Sequence, residues 1–144
     1  TAPAGHIDLL PTLAAACGAD LPDVPIDGRN LLPLATGEAE TTGSDTIFWQ
    51  SAYNKVVRQG DWKLQVSARP DKAWLYDLSA DPTEKVNLAE ARPNKVAELQ
   101  DLLDQHEAGA REPLYPYTIE GPVAVDKTLA DKIGPDDEII YWPN

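Results

Sequence analysis

The side chains of this sequence that could do chemistry are few and widely spaced. One cysteine, Cys17, and two histidines, His6 and His106, supply all the thiol and imidazole groups of the 144 residues. A lone cysteine forms no intrachain disulfide, and a cysteine-based zinc site needs more than one. Cys17 follows a run of three alanines. In that apolar context a small buried hydrophobe is expected instead of a nucleophile.

The residues that could be metal ligands are also explained more simply by structural roles. His6 and Asp8 are close in sequence, but a metal site needs further ligands, so we interpret Asp8 as the cap of a helix. The carboxylate clusters at 81–84 and 136–138 lack the spacing of a calcium-binding loop, and solvated turns explain them. His106 ends an apolar helical stripe and is predicted to be a partly exposed structural residue. We predict no catalytic residue and no metal ligand in this chain.

Composition excludes two classes of partner. The sequence has 24 acidic and 12 basic side chains, a formal charge of −12, which repels the phosphate backbone of nucleic acid. No apolar run approaches the roughly 20 residues of a membrane span. The sequence also lacks a nucleophile elbow, a glycine-rich phosphate loop and a His-Glu-x-x-His motif.

The elements that would carry these residues predict an α+β fold. Asp8 to Cys17 have helical spacing with Gly18 as terminator, and the helix is apolar enough to need a large surface to pack on. Strands rich in β-branched and aromatic residues predict an antiparallel meander of about four strands. They lie at 46–50, 55–58, 62–66 and 73–77. Pro93 opens a helix over Asn94–His106 that should cover one sheet face.

Four segments occur in the order seen at the C-terminal end of sulfatases, which belong to the alkaline phosphatase superfamily. The first is Asp8-Leu9-Leu10-Pro11-Thr12, which resembles an Asp-Leu-x-Pro-Thr helix. The others are Asp27-Gly28-Arg29-Asn30-Leu31-Leu32-Pro33-Leu34, Val57-Arg58-Gln59-Gly60-Asp61-Trp62-Lys63 and Leu75-Tyr76-Asp77-Leu78 with Asp81-Pro82-Thr83-Glu84-Lys85-Val86-Asn87-Leu88. The chain therefore resembles the C-terminal portion of an arylsulfatase-like enzyme.

The resemblance implies how the chain is divided into domains and where the catalytic groups that it lacks would lie. Residues 1–45 would end the large catalytic α/β domain, 46–109 would form the C-terminal subdomain, and 110–144 would be an irregular wrapping tail similar to an extension in bacterial members. Formylglycine and calcium would lie in the missing N-terminal part, because Cys17 is followed by Gly-Ala-Asp and not by the precursor motif. The fragment alone would be inactive.

The resemblance also implies partners and a location. The missing N-terminal sulfatase domain would cover the first helix, and a sulfated small molecule or glycan would be the parent's substrate. Such enzymes are commonly exported, so a periplasmic or secreted location is expected. Arg69 and Lys72, in the loop after the third strand, would contact the anionic ester at the pocket rim. Ordinary surface cations are the alternative.

Two other functions remain open on the sequence. A phosphodiesterase or phosphonate hydrolase of the same superfamily would share this C-terminal portion, because the discriminating nucleophile lies elsewhere. A non-catalytic interaction module or light chain would use the apolar first helix to bind a partner. The strand-like segment Ile139–Trp142 is expected to extend a sheet edge.

Overall fold

A computed structural model describes residues 3–41, 45–111, 114, 120–125, 127–128 and 130–143. The chain forms two compact units, residues 1–47 and 48–144. In the first unit, a 3-10 turn at His6–Asp8 continues into helix α1, Leu9–Cys17, and the short helix α2 follows at Leu32–Ala35. Gly18 ends α1 in the left-handed conformation, with φ of 66°, as predicted, because glycine adopts it without a steric penalty.

A four-stranded antiparallel sheet makes up much of the second unit, and its first strand begins two residues before the boundary of that unit. The strands are β1 (Thr46–Ser51), β2 (Asn54–Gln59), β3 (Trp62–Ala68) and β4 (Asp71–Asp77), and they lie in sequence order. Helix α3, Pro93–Ala108, follows with proline in its first turn. Gly60 has a φ of 58° in the two-residue turn between β2 and β3, a conformation that glycine permits and that hairpin turns of this length require. The predicted α+β class is confirmed.

The core lies between α3 and one face of this sheet. Residues Val57, Leu64 and Leu75 are paired across three adjacent strands and are fully buried against Leu99 and Leu103 of α3. Residues four apart on a helix share a face, and alternate residues of a strand do the same. Trp62 and Val66, which alternate with the residues next to Leu64 along β3, also pack on this cluster, so the three side chains share one face of the strand.

The tail covers the opposite face of the sheet. Strands β5 (Glu120–Ala124) and β6 (Ile139–Pro143) form a separate antiparallel pair, and Ile140 packs on Trp74 and Tyr76 of β4. The tail was predicted to be irregular. Its described residues depart from that prediction, because they include these two strands. The strand predicted at Ile139–Trp142 exists, but it pairs with β5 and not with an edge of the larger sheet.

Candidate functional site

The two cations predicted at a pocket rim lie in the β3–β4 hairpin and contact the tail. The Arg69 guanidinium carbon is 4.6 Å from the centroid of the Tyr141 ring, and the Tyr141 N–H donates to the Arg69 carbonyl at 3.4 Å. Lys72 forms an ion pair with Glu138, which also accepts a hydrogen bond from Trp74 Nε1 at 2.8 Å. The hairpin and the tail therefore fix one another, and the contact with substrate stays a prediction.

A cavity of about 720 Å³ lies beside this contact, between the outer sheet face, the segment 82–87 and the tail. Tyr76 of β4 lines it and is 6% exposed. Burial, together with the negative charges of Glu84, Glu138 and Asp81, raises the pKa of Tyr76 to about 12, because both effects disfavour a phenolate. The hydroxyl therefore stays protonated throughout the physiological range.

The charged residues of two family-like segments bind one another. Lys63 Nζ donates to both carboxylate oxygens of Glu84 at 2.7 Å, which joins β3 to the segment after β4. Asp81 accepts the N–H groups of Lys85 and Val86 at 2.6 and 2.8 Å. The N–H of Val86 contributes most to lowering the pKa of Asp81. The 81–84 cluster is therefore a turn stabilised by its own backbone, as predicted, and Glu84 is a structural ion-pair partner.

Asn87 binds the open edge of β4. Its Oδ1 accepts the Leu75 N–H at 3.0 Å, and its Nδ2 donates to the Ala73 carbonyl at 3.1 Å. The next residue, Leu88, donates its N–H to the Leu75 carbonyl at 2.8 Å. An exposed strand edge invites pairing with another chain. The Asn87 amide occupies that edge in place of a fifth strand, and sequence reasoning did not identify this role.

Replacing Asn87 by alanine is expected to lower the free energy of unfolding by about 1 kcal/mol, because the partly buried Leu75 N–H and the exposed Ala73 carbonyl lose their partner. Denaturant titration measures the loss, and amide hydrogen exchange at Leu75 locates it. Asn94→Ala is the matched control, since Asn94 is exposed on the first turn of α3. Unchanged exchange at Leu75 in the Asn87 variant would contradict the role.

Asp8 organises the first unit. The carboxylate is fully buried, and it accepts the N–H groups of Gly5 and Arg29 at 2.8 Å each. The Arg29 Nε lies 3.5 Å away. Burial raises the pKa of Asp8, but these hydrogen bonds and the Arg29 charge together outweigh it and hold the pKa below the usual value of an aspartate. Asp8 is the N-cap residue of α1, as predicted, but its carboxylate makes no cap hydrogen bond to that helix, because it accepts the N–H groups of Gly5 and Arg29 instead.

Thr12 links α1 to the same connector. Its hydroxyl donates to the Asp8 carbonyl at 2.6 Å and accepts the Leu31 N–H at 2.9 Å. Residues Asp8 and Thr12, both from the first family-like segment, therefore hold residues 29–31 of the second. These contacts join the helix to a connector about 20 residues away, and they position its backbone.

The outward side of α1 is uncovered. Cys17 is exposed, and Leu9, Leu10 and Leu13 are 59%, 55% and 61% exposed. The prediction that Cys17 is buried is therefore wrong in this chain. The physical reason is that an apolar pattern shows which side chains favour burial, whereas burial also requires a surface to cover them.

His106 has a packing role at the end of α3. Its ring stacks on Phe48 of β1, with centroids 4.1 Å apart and planes 2° from parallel. The side chain is otherwise exposed. This contact agrees with the structural role predicted for His106.

Neither a metal centre nor a membrane helix is found in the described part of the chain. Among residues 3–41, 45–111, 114, 120–125, 127–128 and 130–143, no three His, Cys, Asp or Glu side chains are placed to hold a metal ion. Over the same residues, no helix has the length and apolarity needed to cross a bilayer.

Comparison of the chain with known proteins identifies several relatives. No family model matches the chain. It is 36% identical to human arylsulfatase A over 129 residues, covering 69% of this chain and 25% of that protein. It is 34% identical to choline-sulfatase of Rhizobium meliloti, covering 61% and 18% of the two chains. The solved structure of a 2-O GAG sulfatase superposes with a TM-score of 0.59 at 29% identity, covering 70% and 24%.

The share of each matched protein that the chain covers shows how much of a sulfatase this chain represents. The chain spans about a quarter of the length of the first curated relatives that it matches. The structural match covers 70% of the chain, and the antiparallel sheet and mixed α+β architecture described above are consistent with a sulfatase C-terminal domain. The chain is therefore homologous to the sulfatases, and it corresponds to a C-terminal portion of them.

Proposed function

We propose that this chain is the scaffolding C-terminal part of a sulfuric ester hydrolase and has no turnover by itself. The observation that carries the proposal is the 36% identity to arylsulfatase A over 69% of the chain. The roles of the family-like segments support it: Asp8, Lys63, Glu84 and Asn87 all hold backbone or one another in place. The part of the parent that does the chemistry would lie outside these residues.

Formylglycine and calcium are proposed for that other part of the parent. Formylglycine would supply the nucleophile and calcium would stabilise developing negative charge. The described residues of this chain do not fit either group, since they offer no cluster of metal ligands and Cys17 lies in Ala-Cys-Gly-Ala-Asp. What this chain would provide is a rigid sheet, a covering helix and surfaces for the catalytic domain.

The uncovered side of α1 is the proposed surface for that domain. Leu9, Leu10 and Leu13 are each more than half exposed in the first unit. Burying side chains of this size contributes about 1.5 to 3 kcal/mol each. Contact with the large α/β domain of the parent would therefore stabilise both parts. The bacterial origin of the parent and its export are proposed on the family resemblance alone.

The hairpin at Arg69 and Lys72 is the proposed rim of the substrate pocket. Its backbone is fixed by the Tyr141 N–H, and the Lys72 ammonium is held beside Glu138. A guanidinium binds a planar or tetrahedral anion through two N–H groups. In the parent enzyme, Arg69→Gln is expected to raise KM for a sulfate ester about fivefold with kcat unchanged, as the loss of one exposed ionic contact implies.

A hydrolysis assay tests the main proposal. An aryl sulfate is incubated with this chain alone and with the parent polypeptide that contains it, and an aryl phosphodiester is run in parallel. The parent is expected to hydrolyse the sulfate, whereas the chain alone is expected to leave both esters intact. Sulfate hydrolysis by the chain alone would refute the proposed division, and parent turnover of only the phosphodiester would refute the reaction class.

A further inference from the structure

The side-chain oxygen of Asn54 is buried and unpaired in the described part of the chain. Asn54 is the first residue of β2 and is 3% exposed. Its Oδ1 accepts no hydrogen bond from any described protein group. Native structures rarely keep a buried acceptor without a donor, because the unpaired group pays its full desolvation cost. This oxygen therefore indicates a donor other than the described protein groups.

The tail fixes the orientation of the Asn54 amide. Asn54 Nδ2 donates to the Tyr141 carbonyl of β6 at 3.3 Å. Exchanging the nitrogen and oxygen of this amide would lose that bond and bring two acceptor oxygens together. The unpaired atom is therefore the oxygen, and the group that completes it must donate a hydrogen bond.

The residue opposite Asn54 supplies a second buried polar group. Ser67 of β3 is paired with Asn54 across the β2–β3 ladder and is also 3% exposed. Opposed side chains of an antiparallel pair lie on the same face, with Cβ atoms about 4.5 to 5.5 Å apart. Ser67 Oγ accepts the Arg69 N–H at 3.2 Å, and this bond leaves the hydroxyl proton for another acceptor. That proton is not donated directly to Asn54 Oδ1, which has no donor.

We infer that an internal water molecule binds between Asn54 and Ser67, where it accepts the Ser67 O–H and donates one proton to Asn54 Oδ1. Both residues are nearly inaccessible to bulk solvent, so the ligand must be small, and a water molecule both donates and accepts. The Tyr141 carbonyl, which has a second lone pair and lies against the same amide, accepts the other water proton. Buried waters typically make about three hydrogen bonds, and these three groups provide them.

The water site joins three segments of the second unit. Asn54 begins β2, Ser67 precedes the β3–β4 turn, and Tyr141 lies in the tail. The same serine holds the Arg69 N–H, while the Tyr141 N–H donates to the Arg69 carbonyl. The water therefore belongs to the base of the hairpin that carries Arg69. The inference does not depend on the proposed ester hydrolysis.

A high-resolution crystal structure of the chain tests the site directly. We expect an ordered water about 2.8 Å from both Asn54 Oδ1 and Ser67 Oγ, as hydrogen-bond geometry requires. Three results would overturn the inference: a direct hydrogen bond between the two side chains, a different protein donor on Asn54 Oδ1, or no density within hydrogen-bonding distance of that oxygen.

A double-mutant cycle tests the same site in solution, with denaturant unfolding as the readout. Ser67→Ala removes the donor to the water and leaves Asn54 Oδ1 buried, so it should raise the unfolding equilibrium constant about tenfold. In the Asn54→Leu background the acceptor is replaced by an apolar side chain of similar size. There Ser67→Ala should raise the constant only about threefold, through the lost bond to Arg69.

Ser79→Ala is the control for this cycle, because Ser79 is an exposed serine after β4. Its effect should be the same in both backgrounds, as expected for independent sites. Equal effects of Ser67→Ala in the two backgrounds would overturn the inference. The crystal structure of the unsubstituted chain decides the matter even where Asn54→Leu disturbs folding.

Discussion

Substitution of Gly28 by alanine is expected to disrupt the first unit. A Cβ atom at this position would lie 1.9 Å from the carbonyl oxygen of Ile7 and 2.6 Å from its carbon. Both are backbone atoms at the start of the 3-10 turn, so no side-chain rotation relieves the overlap. We expect a loss of about 3 kcal/mol, the upper part of the range for overpacked sites. Amide hydrogen exchange at Arg29 and Leu31, which are bonded to Asp8 and Thr12, would rise in parallel.

Gly5→Ala is the control for this experiment. Its Cβ would meet the side chains of Ile7 and Ile47 at 3.6 and 3.9 Å, which are ordinary contact distances, and it lies in the same unit. The control should change stability by less than about 0.5 kcal/mol, as expected away from special sites. Equal destabilisation by the two substitutions would show that the close approach of residues 7 and 28 is not what holds the unit together.

Asp8→Ala is the second substitution with a large expected effect. It leaves two N–H groups, of Gly5 and Arg29, and the Arg29 guanidinium without their buried acceptor. Removing one partner of a buried ion pair costs about 3 to 5 kcal/mol, and the lower value is expected because Arg29 is partly exposed. Denaturant unfolding measures the loss. Asp20→Ala, an exposed carboxylate just after α1, is the control.

The pH dependence of stability gives an independent test of Asp8. Its pKa is lower in the folded chain than in the unfolded chain, so the unfolded chain takes up the proton first as pH falls. The stabilisation is fully present well above the pKa of an unfolded aspartate, about 3.9, and is lost as pH falls through the folded pKa. Asp8→Asn should therefore lose less stability than the unsubstituted chain on acidification through this range. Parallel acid profiles for the two proteins would contradict the assigned hydrogen bonds.

The sheet and α3 were predictable because the sequence patterns that specify them are local. Alternating residues of the third strand placed Trp62, Leu64 and Val66 on one face, and Pro93 marked the start of the helix to within one residue. Side chains return to the same face every two residues in a strand and every 3.6 residues in a helix. A short stretch of sequence is therefore enough to show either pattern. Strand β5 escaped prediction because Gly121 and Pro122 disfavour a strand locally. Its pairing with β6, across some 15 residues, stabilises it instead.

The polar contacts were much less predictable than the elements. Asp8 is followed by an apolar helical pattern, which suggested a cap, yet its partner Arg29 lies 21 positions away. Apart from its place in a family-like segment, nothing in the sequence indicated the hydrogen bonds of Asn87. Its partners Ala73 and Leu75 are determined by the tertiary path of the chain. Hydrogen bonds between distant residues depend on tertiary structure, which neither composition nor spacing records.

The Asn87 contact also bears on how this part of the chain can diversify. The segment after β4 is anchored at its start by the Leu78 N–H, which donates to the Asp61 carbonyl at 2.7 Å, and at its end by Leu88 on Leu75. Lengthening a loop between fixed ends costs little, about 0.6 kcal/mol for each doubling. Residues between the two anchors line one wall of the cavity beside Tyr76. Insertions there would reshape that wall while the sheet keeps its register, so the shape of the cavity can evolve separately from folding.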